Sequence, residues 1–337
     1  MNSLKNSNLK SEKRGGQQMR QYGNFLSSYL PKNFKDGDDC SSFIRKALAE
    51  TKGVLNIESG LYRLNDVTIP DNIIVQGAGA NTILKSAGGA TIFKQSGKSN
   101  WSIRDLAIDG EAKGIPADSG FKAISIDNCW GYEISSVSIY KCNGTGIDIR
   151  QTPLEKNKAA FCNGGNLSKI TLHDNFIGIR FDQRAEYISV VQLNAYNNIT
   201  GCIIHSGNVK IASSNFCKNV NGLVIEDKAN GSHGSISNCL FNHNQKYALL
   251  ARKVNNGMAI SGSCFFYGKI KLIDSTGINI SNGQISCDVQ IKGAGVNQLV
   301  NNYIIPRSCE FDFSPSTLMS GNFSKNGLWK PVIKDLK

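Results

Sequence analysis

Ionisable side chains recur at one position of a repeat in the middle of the chain. In that repeat a glycine is followed by a short apolar strand, and four such strands carry ionisable groups four residues, and in two cases also two residues, after the glycine. The candidates are Asp148, Arg150, Arg180, Asp182, His205 and Glu226. Alternate residues of a strand face the same side, so these positions should face solvent. One flank of the molecule is therefore expected to carry a stripe of carboxylates and cations.

Paired carboxylates are the groups that hydrolyse a glycosidic bond. They lie about 5–5.5 Å apart in retaining enzymes and about 6.5–9.5 Å apart in inverting enzymes. With about 4.8 Å between coils and about 3.3 Å per residue, Asp148 and Asp182 should lie about 8 Å apart. Asp182 and Glu226, two coils apart, should lie about 9.5 Å apart. Both spacings favour an inverting pair, so Asp148, Asp182 and Glu226 are the catalytic candidates.

The cations of the same stripe suit a different reaction, polysaccharide lysis. A lyase needs a base that removes the proton alpha to a uronate carboxyl group, and a cation that stabilises the resulting charge. Arg150, Arg180 and His205 have the chemistry for those roles. Together with Tyr187, whose ring could stack on a sugar, they are the candidate substrate-binding residues.

The stripe also has a purely structural interpretation, as a row of surface ion pairs. Asp148 would pair with Arg180, and Arg150 with Asp182, each pair contributing about 1 kcal/mol or less. No dense cluster of aspartates resembles a calcium site, and the remaining histidines do not converge on one face. We therefore expect no metal and no cofactor.

The elements that would position these side chains repeat from about residue 134. An asparagine precedes each apolar strand at intervals of 21 to 32 residues, namely Asn143, Asn175, Asn198, Asn219 and Asn244. The glycines that follow are Gly146, Gly178, Gly201 and Gly222. A repeat of this length with two or three short strands cannot bury its apolar face alone, so successive copies must stack as a β-solenoid. Stacked asparagines would then form a hydrogen-bonded ladder.

A single amphipathic helix precedes the strands. Its apolar face is made by Cys40, Phe43, Ile44, Ala47 and Leu48. This spacing predicts a helix over 36–51. A solenoid ends in an unpaired coil with free strand edges, so we expect the helix to cap it. The chain thus divides into a basic N-terminal arm (1–33), a capped solenoid (34–313) and a C-terminal tail (314–337).

Composition narrows the range of partners. The net charge of +12 suits a polyanion such as an acidic polysaccharide. The basic residues are spread along the chain, and we expect no nucleic-acid partner. No apolar run reaches the length of a membrane span, and no apolar segment of a signal peptide follows the basic N-terminus. We therefore expect neither membrane insertion nor a signal peptide. The ten cysteines contain no CxxC pair and are interpreted as buried thiols.

The start of the solenoid resembles that of the pectate-lyase-like right-handed parallel β-helix proteins. In that family a GDG-x-x-D-D segment precedes a capping helix, and an I-x-G-x-G-x-x-T-I-L coil follows. The matching residues are Asp36, Gly37, Asp38, Asp39, Gly53, Val54, Ile57, Gly60, Tyr62, Leu64, Gly77, Gly79, Thr82 and Ile83. The repeat extends the resemblance to about residue 313. The resemblance implies an all-β fold: a right-handed single-stranded parallel β-helix (β-solenoid) with an N-terminal capping helix.

The resemblance also implies a function. Within the superfamily this start is frequent in bacteriophage tailspikes, which are trimeric virion proteins that bind or cut bacterial surface polysaccharide. It implies a tailspike-like polysaccharide depolymerase of the phage tail, made in the host cytoplasm. A homotrimer and docking of residues 1–33 to other virion proteins are part of that expectation. Two alternatives stay open: a non-catalytic receptor-binding or structural spike, and a bacterial polysaccharide lyase or glycoside hydrolase. The family's catalytic residues vary, so none is carried over.

Overall fold

The protein is an all-β parallel solenoid of about 11 turns. The computed structural model describes residues 23–114, 116–152, 163–228, 231–293, 295–305 and 310–329. Each complete coil contributes up to three short strands, which pair in parallel with the equivalent strands of the coils before and after it. The predicted parallel β-solenoid is confirmed, whereas its right-handed winding stays a prediction.

The strands form three columns that run along the solenoid axis. The first column comprises Gly23–Phe25, Val54–Ile57, Ile74–Gly77, the first half of Ser102–Asp109, the first half of Glu133–Tyr140, Asn166–Ser168, Ile188–Val191, Val209–Ala212, Gly234–Ser237, Met258–Ser261, Ile278–Ser281, Gln298–Val300 and Leu318–Ser320. The second comprises Gly60–Leu64, Thr82–Ser86, the second halves of the same two long strands, Thr171–His173, Asn194–Tyr196, Asn215–Cys217, Leu240–Asn242, Cys264–Phe265, Gln284–Ile285, Tyr303–Ile304, Phe323–Ser324 and, antiparallel, Gly327–Leu328. The third comprises Thr91–Ser96, Phe121–Asp127, Gly144–Arg150, Ile177–Phe181, Thr200–Ile204, Asn221–Glu226, Tyr247–Arg252, Lys269–Ile273, Asp288–Lys292 and Phe311–Asp312.

One apolar core runs through the coils, built by the inward side chains of all three columns. In the third column, Ile147, Ile179 and Cys202 are fully buried at one inward position. Phe216, Phe241 and Phe265 stack at a corresponding place in the second column, with ring centroids 5.0 and 4.7 Å apart. A single coil would expose this surface, so each coil depends on its neighbours for burial.

The repeat glycines lie one above another, as predicted. A Cβ at Gly178 would lie 2.4 Å from the carbonyl oxygen of Gly201, and one at Gly201 would lie 2.7 Å from that of Gly222. Such contacts are too short for any side chain, so close approach of the coils explains the glycine at this position. In the next coil Ala248 takes the glycine position, since the residue before it, Tyr247, pairs with Asn221.

Four of the five predicted asparagines form the ladder. Asn175, Asn198, Asn219 and Asn244 are buried, and each of the first three donates its backbone and side-chain N–H groups to the side-chain oxygen of the next, at 2.9 to 3.2 Å. The prediction was wrong for Asn143. Cys142 occupies its place, since the Cys142 N–H donates to Asn175 Oδ1 at 3.0 Å.

The helix is shorter than the predicted span of 36–51 and covers Ser41–Glu50. Residues before it form a turn instead, in which Asp38 Oδ2 accepts a hydrogen bond from the backbone N–H of Lys35 at 3.0 Å. Asp39 Oδ1 accepts from the Ser41 N–H, the first of the helix, at 2.9 Å. Ile44, Ala47 and Leu48 are buried in the solenoid core, as the apolar pattern predicts. That the helix caps the solenoid stays a prediction.

Both ends of the described chain continue the stacking. Within the expected arm, Gly23–Phe25 pairs in parallel with Val54–Asn56 and Leu26 is fully buried. Within the expected tail, Leu318–Ser320 pairs with Gln298–Val300. The rest of the arm, residues 1–22, lies outside the described residues. No helix in the described ranges combines the length and apolar character needed to cross a membrane.

Candidate functional site

Three ionisable side chains stand in one row at the carboxyl ends of three successive strands of the third column. Phe181, Ile204 and Ile225 pair in register, and Asp182, His205 and Glu226 follow them directly. We call these last three residues the Asp–His–Glu row. The parallel register repeats in each coil. Side chains at equivalent strand positions of three successive coils therefore lie next to one another on the surface. The sequence alternation predicted this convergence correctly.

His205 lies between the two carboxylates. Its Nδ1 lies 3.2 Å from Asp182 Oδ1, and its Nε2 lies 3.4 Å from Glu226 Oε2. The imidazole is 8% exposed, whereas the carboxylate side chains are 24% and 21% exposed. These distances, with the ring between them, place the two carboxylate oxygens no more than about 9 Å apart, which does not exceed the upper limit for inverting glycosidases.

The two carboxylates of the row have different surroundings. The hydrogen bond from His205 is the main cause that lowers the pKa of Asp182 to about 2, against an opposing effect of burial. The backbone N–H of Gln183 also donates to Asp182 Oδ1 at 3.0 Å. Glu226 instead faces Arg252, at 3.1 Å, and Lys228, at 3.5 Å. Asp182 is therefore an ionised carboxylate at neutral pH, the form that a general base needs.

The prediction that Asp148 faces solvent was wrong. Its side chain has no exposed surface, because three cations fold over it. Arg180 Nε lies 2.6 Å from its Oδ1, Lys122 Nζ lies 3.0 Å from its Oδ2, and Arg150 Nε donates to Oδ2 at 2.9 Å. Burial raises the pKa of Asp148, but the hydrogen bond and charge of Arg180, with the charges of Arg150 and Lys122, outweigh it and lower the pKa.

The ion pairs differ from those that the sequence suggested. The pair between Asp148 and Arg180 is present, but Arg150 turns to Asp148 and not to Asp182. Lys122 was missed because its coil precedes the stretch in which the repeat was aligned. The register pairs Asp148 with Ser125 and places Lys122 three residues earlier, opposite Thr145, so strand alternation gives no signal that Lys122 reaches Asp148.

Exposed aromatic rings lie on the turns beside the row. Tyr187 is 60% exposed, on the turn that joins Asp182 to the next strand, and Trp130 is 48% exposed on the corresponding turn two coils earlier. The backbone of Trp130 is held by bridges to Ser99 and Asn163 of the adjacent coils. The longest interval of the repeat inserts residues 152–166 here, a stretch that we expect to wall a cleft, and its residues 153–162 lie outside the described residues. Both rings are exposed on this edge, where the face of an aromatic ring is free to pack against a ligand.

A row of stacked rings lies on the second column, outside the Asp–His–Glu row. His173 stacks between Tyr140 and Tyr196, with ring centroids 5.0 and 4.8 Å apart and nearly parallel planes. His173 Nδ1 also contacts Asp174 at 2.7 Å. The rings cover one another's faces, so this row stabilises the stacking of coils. In the described ranges no group of three or more His, Cys, Asp and Glu side chains could hold a metal ion.

No protein-family model matches the chain, and no curated protein sequence does either. Solved structures do match. The catalytic unit of a GH87 alpha-1,3-glucanase from Streptomyces thermodiastaticus has a TM-score of 0.67 at 13% identity, over 92% of this chain and 70% of the glucanase. An N-terminal fragment of gene product 12 of bacteriophage Phi29 has a TM-score of 0.65 at 14% identity, over 90% and 62%.

A third similar structure is the tailspike protein gp49 from Acinetobacter baumannii bacteriophage Fri1, a capsular polysaccharide depolymerase. Its TM-score is 0.57 at 12% identity, over 91% of this chain and 59% of the tailspike. At such identities the likeness shows the fold. The chain has the parallel β-helix fold of the pectate-lyase-like proteins and resembles phage tailspikes, as the residues at the start of the solenoid predicted.

Proposed function

We propose that this protein is tailspike-like, binds bacterial surface polysaccharide (capsule or O-antigen) along the third column, and cuts it at the Asp–His–Glu row. The observation that carries the proposal is the convergence of Asp182, His205 and Glu226 from three successive coils. Folding alone would be served by small or apolar residues at these outward positions. The likeness to a capsular polysaccharide depolymerase and a glucanase supports a polysaccharide as the substrate.

The geometry suits hydrolysis with inversion. Asp182 is ionised at neutral pH and can take the proton of a water molecule as general base. Glu226 is the second carboxyl group, no more than about 9 Å away, and after taking up a proton from solvent it would protonate the leaving oxygen. His205 fixes both groups. Asp148, enclosed by three cations, is given no catalytic role in this proposal.

Lysis is the second candidate reaction. His205 would take the proton alpha to a uronate carboxyl group, and the cations Arg150 and Arg180 would stabilise the charge that develops. Two arginines held within hydrogen-bonding distance of Asp148 favour this alternative, because they lie on the same face as the row. A binding-only spike is the third, since the carboxylates of the row are all in contact with cationic or basic groups.

One incubation distinguishes these reactions. The purified protein is mixed with host capsule or O-antigen, and reducing ends and the ultraviolet absorbance of unsaturated sugars are followed together. We expect reducing ends without absorbance. Absorbance would instead identify a lyase, and binding without either signal would identify a recognition spike. If no surface polysaccharide is bound or cut, the proposed function is wrong.

The assembly is part of the same proposal. We infer a homotrimer in the phage tail, with residues 1–33 docking to other virion proteins and helix Ser41–Glu50 capping a right-handed solenoid. The likeness to tailspikes supports this, as does the burial of the helix face in the first coils. Sedimentation equilibrium tests the trimer. Genes beside the coding sequence would separate a virion protein from a bacterial lyase or hydrolase.

A further inference from the structure

Three cations of the third column share a single buried carboxylate. Lys122, Arg150 and Arg180 come from three successive coils and converge on Asp148, whose side chain is fully buried. Between 21 and 26% of each cationic side chain stays exposed. The carboxylate thus fixes the positions of the cations from below, while their outer surfaces face solvent.

The cations keep unused hydrogen-bond donors. Arg180 binds Asp148 through Nε alone, and in the described part of the chain no bond occupies its two terminal nitrogens. Two further carboxylates, Asp182 and Asp118, interact electrostatically with Arg180. Asp182 is already engaged by His205. Asp148 accounts for one of the three positive charges, and a planar guanidinium with free terminal N–H groups can bind a further carboxylate through two hydrogen bonds.

We infer that Lys122, Arg150 and Arg180 form a subsite for a carboxylate group of the bound polysaccharide, which is therefore an acidic glycan. This inference rests on the proposed function and names its substrate class. Arg180 and Asp182 lie on the same face two residues apart, roughly 7 Å along the strand. The charged sugar would thus lie next to the glycosidic bond that is cut at the Asp–His–Glu row. Asp148 acts as a positioning residue that holds the three cations in place.

The test compares a glycan with its uncharged counterpart. A panel of purified capsular and O-antigen polysaccharides, acidic and neutral, is screened for binding by calorimetry. Each binder is then measured again after its carboxyl groups have been reduced to alcohols. We expect only acidic members to bind tightly, and reduction to weaken binding about 10- to 100-fold, the range of one charged hydrogen-bonded contact.

Variants locate the effect. Arg180→Gln and Lys122→Gln should each lose about 10-fold or more in affinity for the native glycan, with little change for the reduced one. Arg63→Gln is the matched control, because Arg63 carries the same charge but pairs with Glu111 on the second column. Asp148→Asn should also weaken native binding by releasing the cations, and Arg180→Lys should restore part of what Arg180→Gln loses. Thermal unfolding checks that each variant is folded.

The outcomes are separable. Equal affinity for native and reduced glycans, or an equal loss in Arg180→Gln and Arg63→Gln, would overturn the subsite and leave polysaccharide binding intact. Binding to no member of the panel would remove the proposed function itself. The carboxylate of a bound glycan can belong to a uronic acid or to a pyruvate ketal. Treating the glycan with mild acid before the binding measurement distinguishes the two, because it removes only the ketals.

Discussion

At the scale of single residues, His205 determines what the neighbouring carboxylates can do. We expect Asp182→Asn and Glu226→Gln each to lower depolymerising activity about 10²- to 10⁴-fold, the range for losing a general acid or base. Reducing-end release from the host polysaccharide measures this. Asp288→Asn is the control, because Asp288 lies on the same column in an ion pair with Lys269 but far along the solenoid. Full activity of both site variants would show that the row is structural.

The same residues make stability depend on pH. The pKa of Asp182 is lowered from 3.8 to about 2 in the folded protein, so its charged form stabilises the fold above about pH 4. That stability is lost as pH falls through about 2. Between about pH 4 and pH 2 the free energy of unfolding should therefore fall less in Asp182→Asn than in the parent. The difference should be on the order of 1 kcal/mol, after allowance for solvent screening. Urea unfolding at several pH values measures it, and parallel curves for variant and parent would contradict it.

Sequence reasoning succeeded for some of these residues and failed for others, for a physical reason. Asp182, His205 and Glu226 share one register, and the two-residue period of a strand was enough to align them. The same period put Asp148 on the outer face, but it does not reveal what covers a side chain. Its burial depends on Lys122, which lies in an earlier coil and belongs to no aligned motif. Long cationic side chains reach between coils in ways that a pattern does not show.

At the scale of elements, the asparagine ladder ties each coil to the next. Asn198 accepts bonds from Asn175 and donates to Asn219 and to the Leu172 carbonyl, all within 3.1 Å. We expect Asn198→Ala to destabilise the fold by roughly 2–4 kcal/mol, because it leaves several buried polar groups without partners. Denaturant unfolding measures the loss.

Asn143 supplies the matched control for the ladder. It belongs to the same sequence motif, but within the described residues its side chain accepts a single bond, from the Ala117 N–H at 3.3 Å near the surface. We expect Asn143→Ala to cost less than about 1 kcal/mol. Equal losses in the two variants would mean that the ladder adds nothing beyond an ordinary turn residue.

The motif misplaced Asn143 because one coil is longer at this corner. Thr145 pairs with Ile177, yet Cys142 rather than Asn143 takes the ladder position, so an extra residue lies between the turn and the strand. Gly144, with a φ of 143°, accommodates it directly beside Phe121 of the preceding coil. Asn143 lies three residues before Gly146, the same spacing as from Asn175 to Gly178. The spacing from asparagine to glycine therefore does not reveal the extra residue.

At the scale of the whole molecule, the solenoid should tolerate the loss of an entire coil. Deleting residues 198–218 joins Asn197 to Asn219 and brings Gly222 onto Gly178 and Ile225 onto Phe181, so that each takes the place of the equivalent residue of the deleted coil. Because each coil contacts only its neighbours, the shortened chain should fold with unchanged strand content and a slightly lower melting temperature.

The deletion also separates fold from function. It removes His205 and stacks Asp182 directly against Glu226, so we expect cutting and tight binding of polysaccharide to be lost in a protein that is still folded. Deleting only residues 198–208 is the control, because half a coil turns outward faces into the core and should prevent folding. Circular dichroism and the depolymerisation assay read out the two effects. If the full-coil deletion unfolds like the half-coil deletion, stability does not come from interchangeable neighbouring coils. If the full-coil deletion still cuts polysaccharide, the chemistry takes place elsewhere on the solenoid.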